Sequence, residues 1–272
     1  MSNSPGAPMI RVATWNMKQA IAPRKPLAEL WRWVEERIQP DVVVLTEAKV
    51  PKAGLPEGWT AVWTPGGLGP TRPWGTVIAG RGVELRRVSE VIVSGSTLRL
   101  SSRWPGALEV VDVYIRGKRW ATVVGLYAVT RDENNERCFN GSYSSRVLLD
   151  RMRPLLRSRR GSRVILAGDF NLWPVGMPNR KLANLGLADL LELTGQARPA
   201  LDLCASCDGR PGCHHVWTHK NPRGPNAAVQ QIDFIFGTTA LSREVRRVYG
   251  GIGDFKDAWD VSDHAPLVAE FD

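Results

Sequence analysis

Cysteine is scarce in this chain, which has four cysteines among 272 residues. That number is too small for a disulfide scaffold to hold together a chain of this length. A chain of this length can bury a large hydrophobic core, and we expect the fold to depend on one.

Three of the four cysteines cluster with three of the four histidines in the 16-residue stretch CASCDGRPGCHHVWTH. A Cys-x-x-Cys pair followed by Cys-His-His suits a tetrahedral zinc site that pins a loop. Only one Cys-x-x-Cys pair is present, so a disulfide or plain reduced thiols in a Gly/Pro-rich loop are alternatives. The proposed zinc ligands centre on Cys204, Cys207 and Cys213, and we assign His214, His215 and His219 to the same loop.

Long apolar runs are absent. The longest, such as Val42–Leu45 and Val164–Ala167, are far shorter than the roughly 20 residues that a membrane-spanning helix needs. The amino terminus, MSNSPGAP, has neither the basic nor the apolar region of a secretory signal. We therefore expect residues 1–8 to be a disordered tail, and the protein to be cytoplasmic and without a membrane partner.

Acidic residues are outnumbered by basic ones, 27 to 36, which gives a formal net charge of +9. Such an excess attracts polyanions through long-range steering and counterion release. It favours nucleic acid over a small metabolite as a partner. A general bias towards arginine in the composition explains the charge equally well.

The amino-terminal pattern predicts an α/β unit. Ile10–Thr14 alternates as a strand does, and a helix opening at Pro26 places apolar residues at three- and four-residue spacing as far as Ile38, before Pro40 ends it. Val42–Leu45 then reads as a buried strand of mainly β-branched residues. A strand, a helix and a strand in this order indicate an α/β fold.

Short strands separated by turns dominate the rest of the chain, with one more amphipathic helix beginning at Ser144. No repeat or low-complexity segment divides the chain, so we expect residues 9–272 to form a single domain. The remaining predicted strands are Trp59–Val62, Gly75–Ala79, Val83–Val93, Leu108–Tyr114, Arg119–Val124, Val164–Ala167, Gln231–Phe236, Val245–Tyr249 and Pro266–Phe271.

Polar side chains recur where predicted strands end, in the motifs TWN, LTEAK, GDFN and SDH. Carboxylates, amides and an imidazole in such positions suit a site that holds a hard cation against a phosphate and activates water. Glu47 is a hard anionic ligand for Mg²⁺ or Mn²⁺, and Asp169 and Asn171 face the same side of an extended segment. The alternatives are a surface carboxylate at Glu47 and a simple turn at Asp169–Asn171.

The order of six motifs, TWN, PDVVVLTEAK, GLYA, LAGDFN, QIDFIF and SDHAPL, resembles that of the endonuclease/exonuclease/phosphatase superfamily of metal-dependent phosphoesterases. The resemblance runs from Arg11 to Phe271. It implies a four-layer α/β/β/α sandwich of two mainly antiparallel sheets covered by helices.

The resemblance also implies roles for the motif residues. Asp169 would orient or deprotonate the attacking water, Asn171 would hold the substrate or a catalytic group, and Asp233 would fix His264, which polarises the phosphate. The implied metal ligands are Glu47, Asn16 and Asp263, and the implied catalytic residues are His264, Asp169, Asn171, Asp233 and Tyr127.

Tyr127 resembles the branch of AP endonucleases, exonucleases and retrotransposon endonucleases, because many lipid and inositol phosphatases and pancreatic-type deoxyribonucleases of the superfamily have a histidine there. The following Ala128-Val129-Thr130 departs from that branch and argues against abasic-site repair. For stacking on a base we consider Trp74, Trp173 and Trp217, with core packing as the alternative. For phosphate contacts we consider Arg72, Arg131, Arg180 and Arg223, with solvated surface charge as the alternative.

The sequence therefore predicts a monomeric, Mg²⁺-dependent phosphodiesterase that hydrolyses nucleic acid, with DNA favoured over RNA. The alternative is a phosphatase or phosphodiesterase acting on a small phosphorylated molecule or a lipid headgroup. A binding module that has lost its chemistry is disfavoured, because the set of candidate residues is complete.

Overall fold

Two six-stranded sheets carry the site-bearing segments of the chain. The computed structural model describes residues 9–19, 25–64, 74–173, 177–194, 216–220 and 229–272. The predicted tail at residues 1–8 and the predicted zinc ligands Cys204, Cys207 and Cys213 lie outside the described residues and remain predictions.

Sixteen strands and seven α-helices are assigned within the described ranges. The strands are β1 (Ile10–Asn16), β2 (Val42–Ala48), β3 (Trp59–Trp63), β4 (Gly75–Arg81), β5 (Glu84–Arg87), β6 (Glu90–Val93), β7 (Ser96–Arg99), β8 (Leu108–Ile115), β9 (Lys118–Tyr127), β10 (Val164–Asp169), β11 (Leu187–Asp189), β12 (His219–Lys220), β13 (Val229–Gln230), β14 (Asp233–Thr238), β15 (Val245–Gly250) and β16 (Leu267–Phe271). The helices are α1 (Leu27–Trp33), α2 (Ser142–Arg157), α3 (Asn179–Asn184), α4 (Leu190–Thr194), α5 (Thr239–Ser242), α6 (Gly251–Asp254) and α7 (Ala258–Val261).

The two large sheets share one plan. The first has the order β15-β16-β1-β2-β4-β3 and the second the order β11-β14-β10-β9-β8-β5. At the centre of each is a parallel pair, β1 with β2 and β9 with β10, and each pair is joined through a helix, α1 or α2. The flanking pairs are antiparallel, which confirms two mainly antiparallel sheets.

Three buried apolar clusters separate four layers. Val12, Val44 and Ile165 lie in the cluster between the sheets. The outer face of the first sheet packs against α1, and the outer face of the second packs against α2. Strand β2 is apolar on both faces because Val44 points between the sheets while Val43 points towards α1. The α/β/β/α sandwich is confirmed.

The first predicted helix is present, but its end differs from a regular α-helix. After α1 the chain continues as a π-helical turn over Val34–Ile38, in which the Gln39 N–H donates to the Val34 carbonyl five residues earlier. Gln39 then adopts a left-handed conformation with φ 52°. Pro40 follows and cannot continue the hydrogen-bonding pattern, so the helix ends there as predicted.

The prediction of a single strand over Val83–Val93 is wrong. The Val88 N–H still bonds to Val110 in β8, whereas the Ser89 carbonyl accepts from Leu100, so the chain changes partner between these two residues. β5 therefore belongs to the second sheet and β6 to a separate hairpin with β7. The sequence pattern missed β7 because its residues are exposed and lack a buried face.

No helix assigned in the described ranges is both long enough and apolar enough to cross a membrane.

Gly168 offers a test of the central packing, because its φ is +147° and a Cβ there would lie 1.8 Å from the Leu126 carbonyl oxygen. We expect Gly168→Ala to lower the free energy of unfolding in urea by about 3 to 5 kcal/mol. Gly117→Ala is the matched control, since Gly117 also has a positive φ but open space around it; we expect a loss of about 1 kcal/mol. Equal losses would contradict the role of close packing at Gly168.

Candidate catalytic site

The ends of four central strands meet at one edge of the sandwich. Asn16 ends β1, Glu47 lies near the end of β2, Tyr127 ends β9 and Asp169 ends β10. Within each parallel pair the carboxyl ends lie on the same side. Two hydrogen bonds join the edges of the two sheets: Asn16 Nδ2 donates to Asp169 Oδ2 over 2.9 Å, and Tyr127 Oη donates to Glu47 Oε1 over 3.0 Å.

Antiparallel neighbours bring two more residues to the same edge. Asp233 begins β14 and lies opposite Asp169 in the register, while His264 precedes β16. His264 Nδ1 and Asp233 Oδ2 are 2.8 Å apart, and both side chains are buried. The Thr218 hydroxyl accepts from the Asp233 N–H, and the Trp15 indole donates to the His264 carbonyl. These bonds fix the backbones of His264 and Asp233, in addition to the contact between their side chains.

Asp169 lies at the centre of the cluster. Its Oδ1 accepts from the Asn171 N–H over 2.8 Å, and its Oδ2 lies 4.0 Å from His264 Nε2. The Asn171 amide is fixed in turn by donating to the Ala128 carbonyl. Because Nδ1 of His264 is engaged by Asp233, its Nε2 and the Asp169 carboxylate face the same small space.

Two site residues have strained backbones. Glu47 and Asn171 have φ values of 45° and 46°, which are uncommon for residues other than glycine. At Glu47 the register of β2 against β4 shifts between Leu45 and Ala48. Such an irregularity re-aims a side chain at the end of a strand, and here it accompanies the contact of the Glu47 carboxylate with Tyr127.

Burial of like charges shifts the pKa values in the cluster. Burial and the neighbouring Asp233 carboxylate raise the pKa of Asp169 to about 8. Burial lowers the pKa of His264, but the carboxylates of Asp233 and Asp169 outweigh it and raise that pKa to about 10. Burial also raises the pKa of Glu47. The pocket therefore holds more negative charge than its own cations neutralise.

This edge as a whole carries the excess of buried carboxylates that fits a hard divalent cation, with Glu47 as a ligand and the group of Asp169, Asp233 and His264 beside it. Ligand atoms of Asp169, Asp233 and His264 lie within 4.8 Å of one another. Oδ1 of Asp233 is buried without a hydrogen-bond partner among the described residues. The predicted ligand Glu47 adds a carboxylate that interacts electrostatically with both His264 and Asp263. Carboxylate oxygens in excess of positive charge are what Mg²⁺ or Mn²⁺ requires.

The predicted ligands Asn16 and Asp263 reach this edge, but both have partners within the chain. Asn16 Oδ1 accepts from the Lys18 N–H over 2.8 Å. The Asp263 carboxylate is paired with the Lys18 ammonium. Burial would raise the pKa of Asp263, but His264 and Lys18 lower it. The sequence interpretation missed Lys18, although its place two residues after Asn16 was visible.

His219 was assigned to the cysteine-rich loop, and the structure places it elsewhere. It lies on β12, where its ring centroid is 4.6 Å from that of His264 and its backbone bridges to that residue. Nδ1 of His219 is 2.9 Å from the Gln230 amide. Burial and the nearby His264 lower its pKa to about 3. The signal available in the sequence was the run Val216-Trp217-Thr218, three residue types that are enriched in strands, directly before His219.

The other side chains considered for substrate contact differ in exposure. Trp74 is buried and packs edge-on against Tyr127, so it supports the wall of the pocket. Trp173 is partly exposed. Trp217 is partly buried, and its indole N–H has no hydrogen-bond partner among the described residues. Arg131 donates to the Asn135 carbonyl.

Arg180 lines a groove between α2 and α3. Arg72 and Arg223, like His214 and His215, lie outside the described residues.

Comparison with known proteins places the chain in one family. The profile of the Endonuclease/Exonuclease/phosphatase family matches residues 13–264. Comparison with curated protein sequences gives no match.

Solved structures of this fold align over nearly the whole chain. A variant of the 3′ phosphatase NExo from Neisseria, bound to product DNA hairpin, is 20% identical with a TM-score of 0.65, covering 97% of this chain and 99% of that one. An AP endonuclease from Archaeoglobus fulgidus is 20% identical with a TM-score of 0.60 and the same coverage. Truncated TDP2 from Caenorhabditis elegans is 15% identical with a TM-score of 0.63 over 97% of both chains. At these identities the likeness establishes the fold.

The pairing of Lys18 with Asp263 generates one prediction. Lys18→Met removes a competing cation and frees a carboxylate, so we expect Mg²⁺ and Mn²⁺ to bind about tenfold more tightly in isothermal titration calorimetry. Lys220→Met is the matched control, because the backbone of Lys220 bonds to Asp263 while its ammonium lies over Trp259 and is not paired with the Asp263 carboxylate. Weaker metal binding by Lys18→Met would contradict this arrangement.

The pairing of His264 with Asp233 generates a second prediction, which concerns the titration of His264. In metal-free protein we expect His264 to titrate by NMR with a midpoint of about 10, and Asp233→Asn to move that midpoint to about 6.5 or below. Because the folded pKa lies above the unfolded value, the pair stabilises the fold most below pH 6.5 and loses that contribution as the pH rises through about 10. A wild-type midpoint near that of a free imidazole would contradict the pairing. His219, which stays neutral, is the internal control.

Proposed function

Because this chain belongs to the endonuclease/exonuclease/phosphatase family and is a phosphoester hydrolase, we propose that it is a Mg²⁺- or Mn²⁺-dependent phosphodiesterase that cleaves nucleic acid, with DNA as the preferred substrate. The observation that carries the proposal is the meeting of Glu47, Asp169 and His264 at one edge of the two sheets, tied together through Asn16 and Tyr127.

We assign the attacking water to the space between Asp169 and His264. Asp169 accepts the proton of that water, because its carboxylate is oriented by the Asn171 N–H and the Asn16 amide. A carboxyl whose pKa lies near neutral pH is well matched to a general base.

His264 takes the role of donor to the phosphate. Its Nδ1–H donates to Asp233, and the raised pKa of about 10 keeps the ring protonated at neutral pH, so the N–H at Nε2 is free to donate to a non-bridging oxygen of the scissile phosphate. Charge that develops on this oxygen in the transition state strengthens that hydrogen bond. Asn171 and Tyr127 border the same space and position the substrate.

The metal would be held by Glu47 and Asp263, with Asn16 beside them. When bound, it supplies a Lewis acid that polarises the phosphoryl oxygen and lowers the pKa of water. Tyr127 donates to Glu47 and so orients this carboxylate for its role. The proposed catalytic and metal-binding residues extend from Asn16 to His264. This spread supports the proposal that residues 9–272 act as one domain.

A polynucleotide substrate is supported by the net charge of +9. By resemblance, Tyr127 also favours the exonuclease and AP endonuclease branch over the lipid and inositol phosphatases and the pancreatic-type deoxyribonucleases. Two of the similar structures are described as a 3′ phosphatase bound to product DNA hairpin and as an AP endonuclease. These descriptions guide the choice of substrates to test.

The proposal is tested with plasmid DNA, abasic duplex, single-stranded DNA and RNA, beside a panel of sugar phosphates, inositol phosphates and lipid headgroups, all with Mg²⁺ or Mn²⁺. We expect cleavage of at least one nucleic acid, a steep loss of activity with added salt, and loss of activity with EDTA. Asp169→Asn should lower kcat/KM about a hundredfold or more.

Asp260→Asn, at an exposed position on α7, is the matched control and should cleave as the wild type does. Cleavage of small phosphoesters alone would replace this proposal with the small-molecule alternative. Nucleic-acid cleavage that Asp169→Asn leaves intact would overturn the assignment of the site.

A further inference from the structure

The solvent-facing side of α2 is strongly basic. Its opposite side is buried against the second sheet through Leu148, Leu149, Met152 and Leu155. Arg146, Arg153 and Arg157 follow at spacings of seven and four residues, which places them along one face of the helix. From Arg146 to Arg157 this stripe is about 16 Å long, at about 1.5 Å per residue.

Between α2 and α3 this stripe forms one wall of a groove with a cavity of about 820 Å³. None of the described residues that line the cavity is acidic. A second cavity of about 590 Å³ shares Arg157 and continues towards the β6–β7 hairpin. The cationic residues that line the first cavity are Arg146, Arg153, Arg157, Arg180 and Lys181.

Part of this positive charge has no counterpart. Asp150 accepts from both Arg153 and Lys181, at 2.8 and 2.7 Å. Within the part of the chain that the structure describes, neither Arg157 nor Arg180 has an acidic partner. Two guanidinium groups are therefore free to bind an anion in the groove.

An exposed aromatic pair lies on the chain segments that lead from the catalytic residues towards α2 and α3. Phe139 is 88% exposed, Trp173 is 36% exposed, and their ring centroids are 6.4 Å apart. Trp173 follows Asn171 by two residues. Phe139 precedes Gly141 by two, and the Gly141 N–H donates to the Asn171 carbonyl. The pair therefore adjoins the segment that carries Asp169.

The first turn of α2 is bonded to the same segment. The Ser145 hydroxyl donates to the carbonyl of Phe170, the residue between Asp169 and Asn171, and Arg146 is the next residue of the helix. These bonds connect the segment of Asp169 and Trp173 directly to the first turn of α2, where the basic stripe begins.

We propose that the aromatic pair and the α2–α3 groove form a track for a single-stranded segment of polynucleotide that flanks the scissile phosphate. Bases stack on Phe139 and Trp173, and backbone phosphates bind Arg157 and Arg180. Only an unpaired strand offers both a base face and a free backbone, which favours it over a duplex or an acidic peptide. This inference rests on the proposed function, because it names the substrate feature that the site recognises.

Fluorescence anisotropy in EDTA measures binding without cleavage, using a labelled long oligothymidylate, a duplex of equal length and a strand that lacks bases. We expect Arg157→Gln/Arg180→Gln to weaken single-strand binding about tenfold and to reduce the slope of log K against log salt by about 1.4, or 0.7 for each lost phosphate contact. Arg32→Gln/Arg116→Gln is the matched control. It removes the same charge from exposed residues on α1 and on the β8–β9 turn, and it should change binding by less than about twofold.

For the aromatic pair we expect Phe139→Ala/Trp173→Ala to weaken binding of oligothymidylate about tenfold or more, in line with base stacking. The same variant should bind the base-free strand as the wild type does. A comparable loss on the base-free strand would overturn the stacking role, and so would a larger loss on the duplex.

The inference as a whole is overturned if the groove variant binds the single strand as the wild type does, or if the control variant loses as much affinity. Cleavage assays separate this failure from that of the proposed function. A wild-type protein that cleaves nucleic acid while the groove variant binds normally refutes only the track. A wild-type protein that cleaves no nucleic acid refutes the proposed function itself.

Discussion

Four carboxylates lie close together where the two central β-α-β units meet. The rest of the site depends on how the negative charge of each carboxylate is compensated. Each carboxylate accepts a hydrogen bond from a different residue. The four pairs, with the acceptor first, are Glu47 and Tyr127, Asp169 and Asn16, Asp233 and His264, and Asp263 and Lys18. Burying a carboxylate is costly unless it is hydrogen-bonded or paired with positive charge. The four donors make the cluster possible in the folded chain and leave acceptor oxygens for a cation and a water.

The repeated plan of the two sheets explains why residues so distant in sequence meet. Each sheet places a parallel strand pair at its centre, so the polar residues that follow β1, β2, β9 and β10 lie at one edge. The antiparallel neighbours β14 and β16 start at that edge and deliver Asp233 and His264. The apolar cluster between the sheets fixes the distance between the two halves of the site, which links the packing of the core to the catalytic geometry.

Much of this arrangement could be predicted from the sequence. Apolar runs rich in β-branched residues identified β2 and β10, and apolar residues at helical spacing identified α1 and α2. The order of the six motifs predicted the four-layer fold and the polar residues at the strand ends. The π-helical turn and the partner change at Val88–Ser89 could not be predicted, because tertiary pairing decides them rather than local pattern. Lys18 and His219 were missed because their importance comes from contacts with residues about 245 and 45 positions away. Among the groove arginines only Arg180 was considered from the sequence, because the others lie on α2 and are brought together with it only when α3 packs beside α2.

The most direct measurement is an anomalous difference map from crystals that contain Mn²⁺ and a nucleotide product. We expect a manganese peak at the Glu47 carboxylate, and the nucleotide phosphate within hydrogen-bond distance of His264 Nε2 and beside the Asp169 carboxylate. Manganese bound away from Glu47, or a phosphate that contacts neither Asp169 nor His264, would contradict the claim that residues from both sheets form one phosphate-cleaving pocket.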